Sequence, residues 1–572
     1  MHRLAAFLFG LCLGGALQAR TVTVTLLATT DLHGNIMPYD YYLGRPAPRG
    51  LAKIATLIRS VRAENPNTLL IDCGDTIQGA PLETVYQQYV RAGRLPLNLT
   101  FAGEPLRTDP MMLVMNRMGY DALVLGNHDF NFGLKNLALA RSDARFPWLS
   151  ANTVASGGAK PFDPYLVKTL AGVKVAVVGI TTPAIPMWEK PENYQGYRFE
   201  PGDKTMAAMV ASLKAKEKPD LVIGAVHAGL DRDLKTGRVR PGEMGGENMA
   251  YGIAAAVPSL DAIVFGHTHR ELEGRLVGNV LLMQPKNWGI SLGRIDFTLE
   301  GDPGSWKVVS KRSRLIPVTN QTPADEEILR LAGPYHELTE RYLGTRAAES
   351  PVEMRGTLAR IEDTPLVDAV QQVQLYYAQA DVSFTALFNP RACIPKGPVT
   401  VRQVAALYIY DNELYAVEGS GKTVREALEN SARYFLSCRD ASCSQGPLIN
   451  RDVAPFNFDM AEGVEYEIDL RKPEGSRITK LLWRGQPLRD DQKLRIAVNN
   501  YRAGGSGGYT MFRDAKVVWR ASQEVRDLIL EYYSGDKTFP AKADNNWRIV
   551  PPSAMTELER EMKAEAGRAA TY

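Results

Sequence analysis

Several apolar stretches in the first half of the chain run directly into side chains that bind metals or transfer protons. These side chains are Asp31 and His33, Asp75, Asn127 and His128, His227, and His267 and His269. They include five of the seven histidines, since only His2 and His336 lie elsewhere. Sites in open α/β sheets form in the crevice beyond the carboxyl ends of the strands. We therefore expect these segments to converge at one edge of a sheet.

A mixture of carboxylate, amide and imidazole groups suits divalent metals such as Zn²⁺, Mn²⁺ or Co²⁺. The number of candidate ligands exceeds one tetrahedral shell, which predicts two ions that share a carboxylate. Asp75 is the expected bridge, because it stands alone at the end of its motif, whereas Asp72 fits a structural role. Two metals about 3.5–4 Å apart clamp an in-line displacement at phosphorus. The pattern therefore predicts phosphoryl chemistry.

The elements that must position these residues are visible as short apolar runs that alternate with helical stretches. The runs are 22–28, 68–72, 122–126, 173–180, 221–226 and 262–266. This alternation predicts an α/β domain, a layered sheet with helices on its faces. Charged residues alternate with Leu and Ala at helical spacing from 320 to about 350, which predicts a connecting helix. The following region mixes helices, strands and glycine-rich loops, as a second α/β or α+β domain does. The predicted divisions are 1–19, 20–318, 319–350, 351–540 and a polar tail, 541–572.

The first residues, MHRLAAFLFGLCLGGALQAR, have the pattern of a secretory signal peptide that is cleaved after Ala19. The apolar run is too short to cross a membrane, and Cys12 lacks the small preceding residue that a lipoprotein signal needs. We expect a periplasmic or secreted monomer without a stable membrane anchor. A net charge of +3, from 67 basic and 64 acidic residues, gives no indication of a nucleic-acid polymer as partner.

Four cysteines follow the signal peptide. Cys438 and Cys443 lie five residues apart in a polar stretch, and an exported protein can join such a pair by a disulfide. Two free surface thiols are the alternative. Cys73 and Cys393 are expected to be reduced and packed.

In order along the chain, the motifs DLHGN, GDTIQG, GNHD, GAVHAG and GHTH resemble those of the calcineurin-like metallophosphoesterase superfamily. The resemblance implies a four-layer sandwich. It implies that Asp31, His33, Asp75 and His269 hold one metal, and that Asp75, Asn127, His227 and His267 hold the other. His128 would face the substrate, where it would stabilise the charge of the transition state or protonate the leaving oxygen.

The second domain resembles the C-terminal domain of the 5′-nucleotidase family, through FNPRACIPKGPVT, YIYDNELYAVEGSG, FNFDMAEGVEYEIDL and VNNYRAGGSGGY. In that family the domain stacks the nucleobase between two aromatic rings and supplies polar contacts. The resemblance implies Tyr410 and Tyr501 as the stacking pair, with Tyr509 as the alternative, and Asn389 and Arg391 as the polar contacts. The family's glycine-rich Asn-Gly-Gly-Gly-Ile-Arg stretch is here only FNPRACI.

Within this family, secreted 5′-nucleotidases usually carry an Asp three residues after the catalytic His, and this chain carries Asn131. With Asn131 at this position, the chain resembles the branch of 2′,3′-cyclic-nucleotide 2′-phosphodiesterase/3′-nucleotidases. The resemblance implies that His128 and Asn131 form the catalytic pair. Asp129 is given no catalytic role. The alternatives are a 5′-nucleotidase or UDP-sugar hydrolase, an inactive nucleotide-binding surface protein, and a sulfur-oxidation thiohydrolase on the same scaffold.

Overall fold

The computed structural model describes residues 20–91, 106–240, 246–410, 412–438, 440, 442–535 and 537–569. The expected signal peptide, 1–19, lies outside these ranges. Within the described ranges, no helix combines the length and the apolar character needed to cross a membrane. The chain forms two regions of mixed sheet and helix that are joined by a long helix.

Two six-stranded sheets form the first region. The strand order of the first sheet is Lys307–Pro317, Ser291–Gly301, Arg20–Thr29, Thr68–Asp72, Ala122–Val124 and Trp148–Leu149. The order of the second sheet is Leu272–Val277, Val280–Gln284, Ala262–Phe265, Leu221–His227, Val173–Thr181 and Tyr165–Leu170. Each sheet has a run of four parallel strands. The first sheet continues into antiparallel strands on one side of this run, and the second sheet has an antiparallel strand at each edge. All six apolar runs of the sequence form strands here.

The two sheets pack face to face, and helices cover their outer faces. Alternate residues of the strand Arg20–Thr29 illustrate this, because Val24 and Leu26 lie in the core between the sheets, whereas Leu27 packs in the outer core of the first sheet. The helices on the first sheet are Leu51–Glu64, Pro110–Met118 and Gly133–Asp143, and those on the second are Gly202–Lys216 and Ala250–Ala256. The expected four-layer sandwich is confirmed.

Shorter elements complete the first region. They are the helix Pro81–Val85 with a π-helical turn Tyr86–Val90, and the paired strands Tyr39–Asp40 with Arg45–Pro46 and Thr153–Ala155 with Tyr197–Phe199.

The connecting helix spans Glu326–Leu343 and is shorter than the expected 319–350. Asp325 begins it, because its side chain accepts hydrogen bonds from the backbone nitrogens of Glu327 and Ile328. The helix stops at Gly344, and the next segment, Arg346–Ser350, forms a strand that pairs with Gly397–Thr400. Long-range strand pairing therefore shortens the helix.

A five-stranded sheet is the centre of the second region. Its strand order is Asp459–Glu462, Val382–Ala386, Lys493–Asn499, Glu413–Ser420 and Val517–Glu524. A four-stranded sheet has the order Gln486–Pro487, Ile478–Trp483, Glu465–Asp469 and Trp547–Val550, and Met354–Arg355 pairs with Cys393–Ile394. The helices are Pro365–Ala378, Val401–Leu407, Gly421–Ala432, Asn500–Ala503, Val525–Ser534 and Met555–Ala569.

The last segment differs from the expected polar tail. Trp547–Val550 adds a parallel strand beside Glu465–Asp469, and in the helix Met555–Ala569 the side chains of Leu558 and Met562 are buried. Residues 547–569 thus pack as part of the second region. Of the two alternatives for Cys438 and Cys443, the structure has the disulfide.

Candidate active site

Five strands from the two sheets of the first region end close to one another. Asp31 and His33 follow Arg20–Thr29, Asp75 follows Thr68–Asp72, and Asn127 and His128 follow Ala122–Val124, while His227 ends Leu221–His227 and His267 and His269 follow Ala262–Phe265. The first three strands belong to one sheet and the last two to the other. The site therefore lies where the carboxyl ends of both sheets meet.

The carboxylates and imidazoles form two groups of potential metal ligands. Asp31, His33 and His269 form one group, and Asp75, His227 and His267 form the other; in each, the candidate ligand atoms lie within 4.8 Å of one another. Asn127 adjoins the second group, because its Oδ1 lies 3.1 Å from His227 Nε2. The structure thus brings together all seven residues for which metal binding was predicted, divided between two groups in the predicted way.

The environment of Asp75 fits a bridging ligand. Its Oδ2 atom is buried and has no hydrogen-bond partner among the described residues, although it lies 3.1 Å from His227 Nε2 and 3.8 Å from His33 Nε2. Burial raises the pKa of Asp75, but the adjacent His227 and other histidines outweigh burial and hold it well below its usual value. Two cations that share one ligand require an ionised oxygen without another partner between the two groups. The residues therefore fit two metals.

Hydrogen bonds at the back of the imidazole rings aim their other nitrogens into the site. His33 Nδ1 lies 2.9 Å from the carbonyl oxygen of Gln78, and His227 Nδ1 lies 2.6 Å from that of Cys73. A carbonyl only accepts, so each Nδ1 carries a proton, and in the neutral ring Nε2 keeps its lone pair toward the site. This is the tautomer in which a histidine binds a metal.

The backbone at the site is held in an unusual conformation. Twelve non-glycine residues of the described chain have positive φ, and five of them are predicted ligands: Asp31 at 50°, His33 at 46°, Asp75 at 57°, His267 at 72° and His269 at 53°. Residues other than glycine adopt this region at a cost of about 1–3 kcal/mol each. The surrounding fold therefore imposes the conformation at these five ligands.

Two glycines allow the ligand loops to approach so closely. A Cβ atom at Gly126 would overlap the backbone nitrogen and the Oδ1 atom of Asp75, and one at Gly266 would overlap the side chain of Thr30. The glycine before Asn127 and the glycine before His267 are thus required by the close approach of neighbouring segments.

Asp129, to which the sequence analysis gave no catalytic role, has a structural one. It is fully buried, and its carboxylate accepts hydrogen bonds from the backbone nitrogens of Thr76, Ile77 and Gly126. It therefore ties the loop after Asp75 to the loop that carries Asn127 and His128. Asp72 is similarly enclosed by donors from Thr29, Gly74 and Thr76.

We expect Asp129→Ala to lower the free energy of unfolding by about 3 kcal/mol or more, because three buried backbone donors lose their acceptor at about 1–3 kcal/mol each. Urea unfolding followed by circular dichroism measures the effect. Asp129→Asn keeps one acceptor oxygen and should lose less. An unchanged midpoint for Asp129→Ala would contradict the structural role.

His128 lies outside both ligand groups. Its Nδ1 atom lies 2.8 Å from the side-chain oxygen of Asn131, which can only accept, so the ring proton is on Nδ1. Its Nε2 atom lies 2.9 Å from the hydroxyl of Tyr501, which comes from the second region. The hydroxyl therefore occupies Nε2, the nitrogen that a leaving oxygen of a substrate would also need.

The residues of the second region differ in how they relate to this site. Tyr501 reaches it and also stacks on Trp188, with ring centroids 5.8 Å apart and planes at 11°. Tyr410 is half-buried and packs edge-on against Phe388. The Asn389 side chain is engaged within its own domain, with Nδ2 donating to the carbonyl oxygen of Ala406 and Oδ1 accepting from the backbone nitrogen of Arg391.

Tyr509, the alternative stacking residue, is a core residue. Its ring is fully buried, and its hydroxyl bonds Ser431 and the carbonyl oxygen of Asn457. The Arg502 guanidinium lies over its ring, 4.5 Å from the centroid. Tyr509 therefore cannot offer a ring face to a nucleobase, and that alternative is wrong.

Sequence reasoning missed two residues at the site. Trp188, in the loop after the strand Val173–Thr181, contacts Tyr501 and lies 5.5 Å from the ring of His267. Glu247 Oε1 lies 3.2 Å from His267 Nε2. The sequence contained a signal for Trp188, because its loop follows a strand that lies in the same sheet as the strand of His227. Glu247 had none, since it follows no strand.

Comparisons with known proteins agree with this geometry. The family model for calcineurin-like phosphoesterases matches residues 24–271, and the model for the C-terminal domain of 5′-nucleotidases matches residues 345–514. Together, the two-sheet sandwich and its two ligand groups define a metallophosphoesterase with an added second domain.

Relatives cover almost the whole chain. A 2′,3′-cyclic-nucleotide 2′-phosphodiesterase/3′-nucleotidase of Salmonella typhimurium is 30% identical over 99% of this chain and 95% of that protein. The trifunctional nucleotide phosphoesterase protein YfkN of Bacillus subtilis is 31% identical over 94% of this chain, which spans only 39% of that protein's length. The crystal structure of a putative 5′-nucleotidase from Staphylococcus aureus has a TM-score of 0.78 at 27% identity and covers 92% of this chain and 100% of its own.

The chain belongs to the 5′-nucleotidase family. It is accordingly a metal-dependent phosphoric ester hydrolase, and its cofactors are two divalent metal ions.

Proposed function

We propose that this enzyme hydrolyses 2′,3′-cyclic nucleotides to 3′-nucleotides, and then 3′-nucleotides to nucleosides and phosphate, in the periplasm or outside the cell. The observation that carries the proposal is the amide partner of His128, the Asn131 side chain 2.8 Å from Nδ1. The Salmonella relative supports the proposal as well, because that protein is named for these two activities.

The residues of the two groups are assigned as metal ligands. Asp31, His33 and His269 would hold one ion and Asn127, His227 and His267 the other, with Asp75 shared. When bound, the two ions stabilise negative charge on the phosphoryl group and generate the nucleophile from water. Everything else in the reaction falls to the side chains around them.

His128 is assigned to the leaving oxygen. Nδ1 is fixed by Asn131, so the ring presents Nε2 in one orientation. A protonated Nε2 donates to the oxygen as the P–O bond breaks, and an amide neighbour orients the ring without adding negative charge. The Tyr501 hydroxyl is hydrogen-bonded to this same atom in the structure, so it must move away from Nε2 when a substrate binds.

Tyr410 and Tyr501 are assigned to the nucleobase. Tyr501 extends from the short helix Asn500–Ala503, which is anchored because the Asn500 side chain donates to the Trp188 carbonyl oxygen at 2.8 Å. A second contact between the regions is the ion pair of Lys190 with Glu413 at 2.5 Å. These contacts keep the second domain against the metal site, where a stacked base and its phosphate can be bound together.

Replacing both Tyr410 and Tyr501 with alanine is expected to raise KM for nucleotides at least about tenfold, because aromatic stacking of a base contributes about 1–3 kcal/mol. KM for bis(p-nitrophenyl) phosphate, which has no nucleobase, should change much less. The double phenylalanine variant keeps both rings and is the matched control. Equal losses on both substrates would contradict the stacking assignment.

The substrate preference separates this proposal from a 5′-nucleotidase or UDP-sugar hydrolase. Steady-state kcat/KM should be measured for 3′-AMP, 5′-AMP and UDP-glucose with one preparation of the metal-loaded enzyme. We expect 3′-AMP to be the best of the three. A higher kcat/KM for 5′-AMP would overturn the assignment to the cyclic-nucleotide branch but leave the two-metal hydrolase intact.

A further inference from the structure

Four carboxylates from distant parts of the second domain converge away from the phosphoesterase site. Asp363 and Asp368 lie at the start of the helix Pro365–Ala378, Glu462 ends the strand Asp459–Glu462, and Asp544 precedes the strand Trp547–Val550. Oxygen atoms of the three aspartates lie within 4.8 Å of one another. Glu462 adjoins them, because its carboxyl interacts with those of Asp544 and Asp363.

The described residues supply no basic partner for this cluster. None of the ion pairs formed within the described ranges includes any of the four carboxylates. Backbone nitrogens donate to three of them: that of Asn545 to Asp363, that of Asn546 to Asp544 and that of Gly463 to Glu462. The amino terminus of the helix is equivalent to only about half a positive charge. Most of the negative charge is therefore unbalanced.

A second observation points to a missing ligand rather than to a solvated acidic surface. Asp368 is only 5% exposed, and its Oδ2 atom is buried without a hydrogen-bond partner in the described structure. Buried polar atoms are nearly always satisfied, because an unsatisfied one costs about 1–3 kcal/mol. The orphan oxygen therefore belongs to one of the clustered carboxylates, the one that is most deeply buried.

Further oxygens without a hydrogen-bond partner in the described structure come from two of the same segments. They are Thr364 Oγ1, beside Asp363, Gln371 Oε1, one turn along the helix from Asp368, and Asn546 Oδ1, two residues after Asp544. The Nδ2 atom of Asn546 donates to the carbonyl oxygen of Ala461, next to Glu462. The neighbourhood is thus rich in oxygen acceptors.

Without a cation, protons would have to neutralise the cluster. Burial, and then the neighbouring carboxylates, raise the pKa of Asp368 to about 9, and burial raises that of Glu462 to about 7. A divalent cation removes this cost. Among common cations, Ca²⁺ takes six to eight oxygen ligands in a flexible arrangement of carboxylates and neutral oxygens.

We propose that Asp363, Asp368, Glu462 and Asp544 form a structural calcium site that fixes the C-terminal strand Trp547–Val550 and the helix after it to the second domain. The site is separate from the catalytic metals, and does not depend on which phosphate ester the enzyme hydrolyses. Calcium there would join the segment at 544 to the helix that begins at Pro365, two parts of the chain about 180 residues apart.

The test measures calcium content and thermal stability of the full chain, with its catalytic site saturated with Mn²⁺. After equilibrium dialysis against about 5 mM calcium, we expect one Ca²⁺ per chain and a Tm several degrees higher than in calcium-free buffer. Asp75→Asn, which disrupts the catalytic site, should retain both effects. This variant separates the calcium site from the proposed function.

The matched variants are Asp368→Asn, at the buried carboxylate, and Asp544→Asn, at an exposed one. Each should weaken calcium binding at least about tenfold and remove the rise in Tm. Glu465→Gln, an exposed residue paired with Lys480, is the control and should behave as the native chain does. In calcium-free buffer, Asp368→Asn should be as stable as the native chain or more so, because an amide is neutral without taking up the proton that the buried carboxyl needs.

Protease digestion gives an independent measurement. Calcium should slow cleavage around residues 540–546 in the native chain but not in Asp544→Asn. Absence of calcium binding by the native chain, or an equal rise in Tm for native chain and Asp368→Asn, would overturn the proposal, and the cluster would then be held by shared protons.

Discussion

Asp75→Asn is expected to lower activity and metal content together. Asp75 lies between the two ligand groups, and its Oδ2 atom is buried between His33 and His227 without another partner in the described chain. Asparagine keeps the size of the side chain but loses the charge that two cations would share. Since each ion contributes several kcal/mol to the transition state, kcat should fall by at least about 10³-fold.

The metal content of purified Asp75→Asn, measured by inductively coupled plasma mass spectrometry, should fall from two ions per chain to one or none. Asp203→Asn makes the same change at an exposed helix position and should retain both ions. If Asp75→Asn keeps two ions and normal turnover, Asp75 is not the bridge.

His128→Ala is expected to have a different effect, with normal metal content and a kcat lower by about 10²–10⁴-fold. Only the backbone nitrogen of His128 contacts Asp75, at 2.8 Å from Oδ1, and alanine preserves that contact. The side chain instead faces Asn131 and Tyr501. Metal loss in this variant would contradict the assignment of His128 to the substrate.

The leaving group distinguishes how His128 acts. If it protonates the leaving oxygen, His128→Ala should impair hydrolysis of 3′-AMP far more than that of p-nitrophenyl phosphate, whose leaving group needs no proton. Asn131→Ala should produce a smaller loss in the same direction, since it removes only the contact that orients the ring. Equal losses on both substrates would indicate that His128 acts through charge stabilisation instead.

The metal centre was predictable because its determinants are local. Each ligand directly follows or ends an apolar run, and parallel strands bring their carboxyl ends to a common edge. The positive φ angles of residues such as Asp31 and His267 were not predictable, because they depend on glycines at which a distant segment approaches.

Features that depend on long-range contacts were missed. Tyr509 lies in a glycine-rich stretch typical of a loop, but its ring is buried and its hydroxyl is hydrogen-bonded to Ser431, which is 78 residues away. The sequence of the strand Arg346–Ser350 was read as a continuation of the connecting helix, because only its pairing with Gly397–Thr400 defines it as a strand. The strand Trp547–Val550 was hidden in a polar segment for the same reason.

The most direct test of the central claim is a time course of 2′,3′-cAMP hydrolysis by protein stripped of metal and by the same protein reloaded with Mn²⁺ or Zn²⁺. The stripped protein should be inactive. The reloaded protein should release 3′-AMP first, and adenosine and phosphate after it. Hydrolysis that continues without metal, or a reloaded enzyme that leaves 2′,3′-cAMP intact while hydrolysing 5′-AMP, would contradict the account.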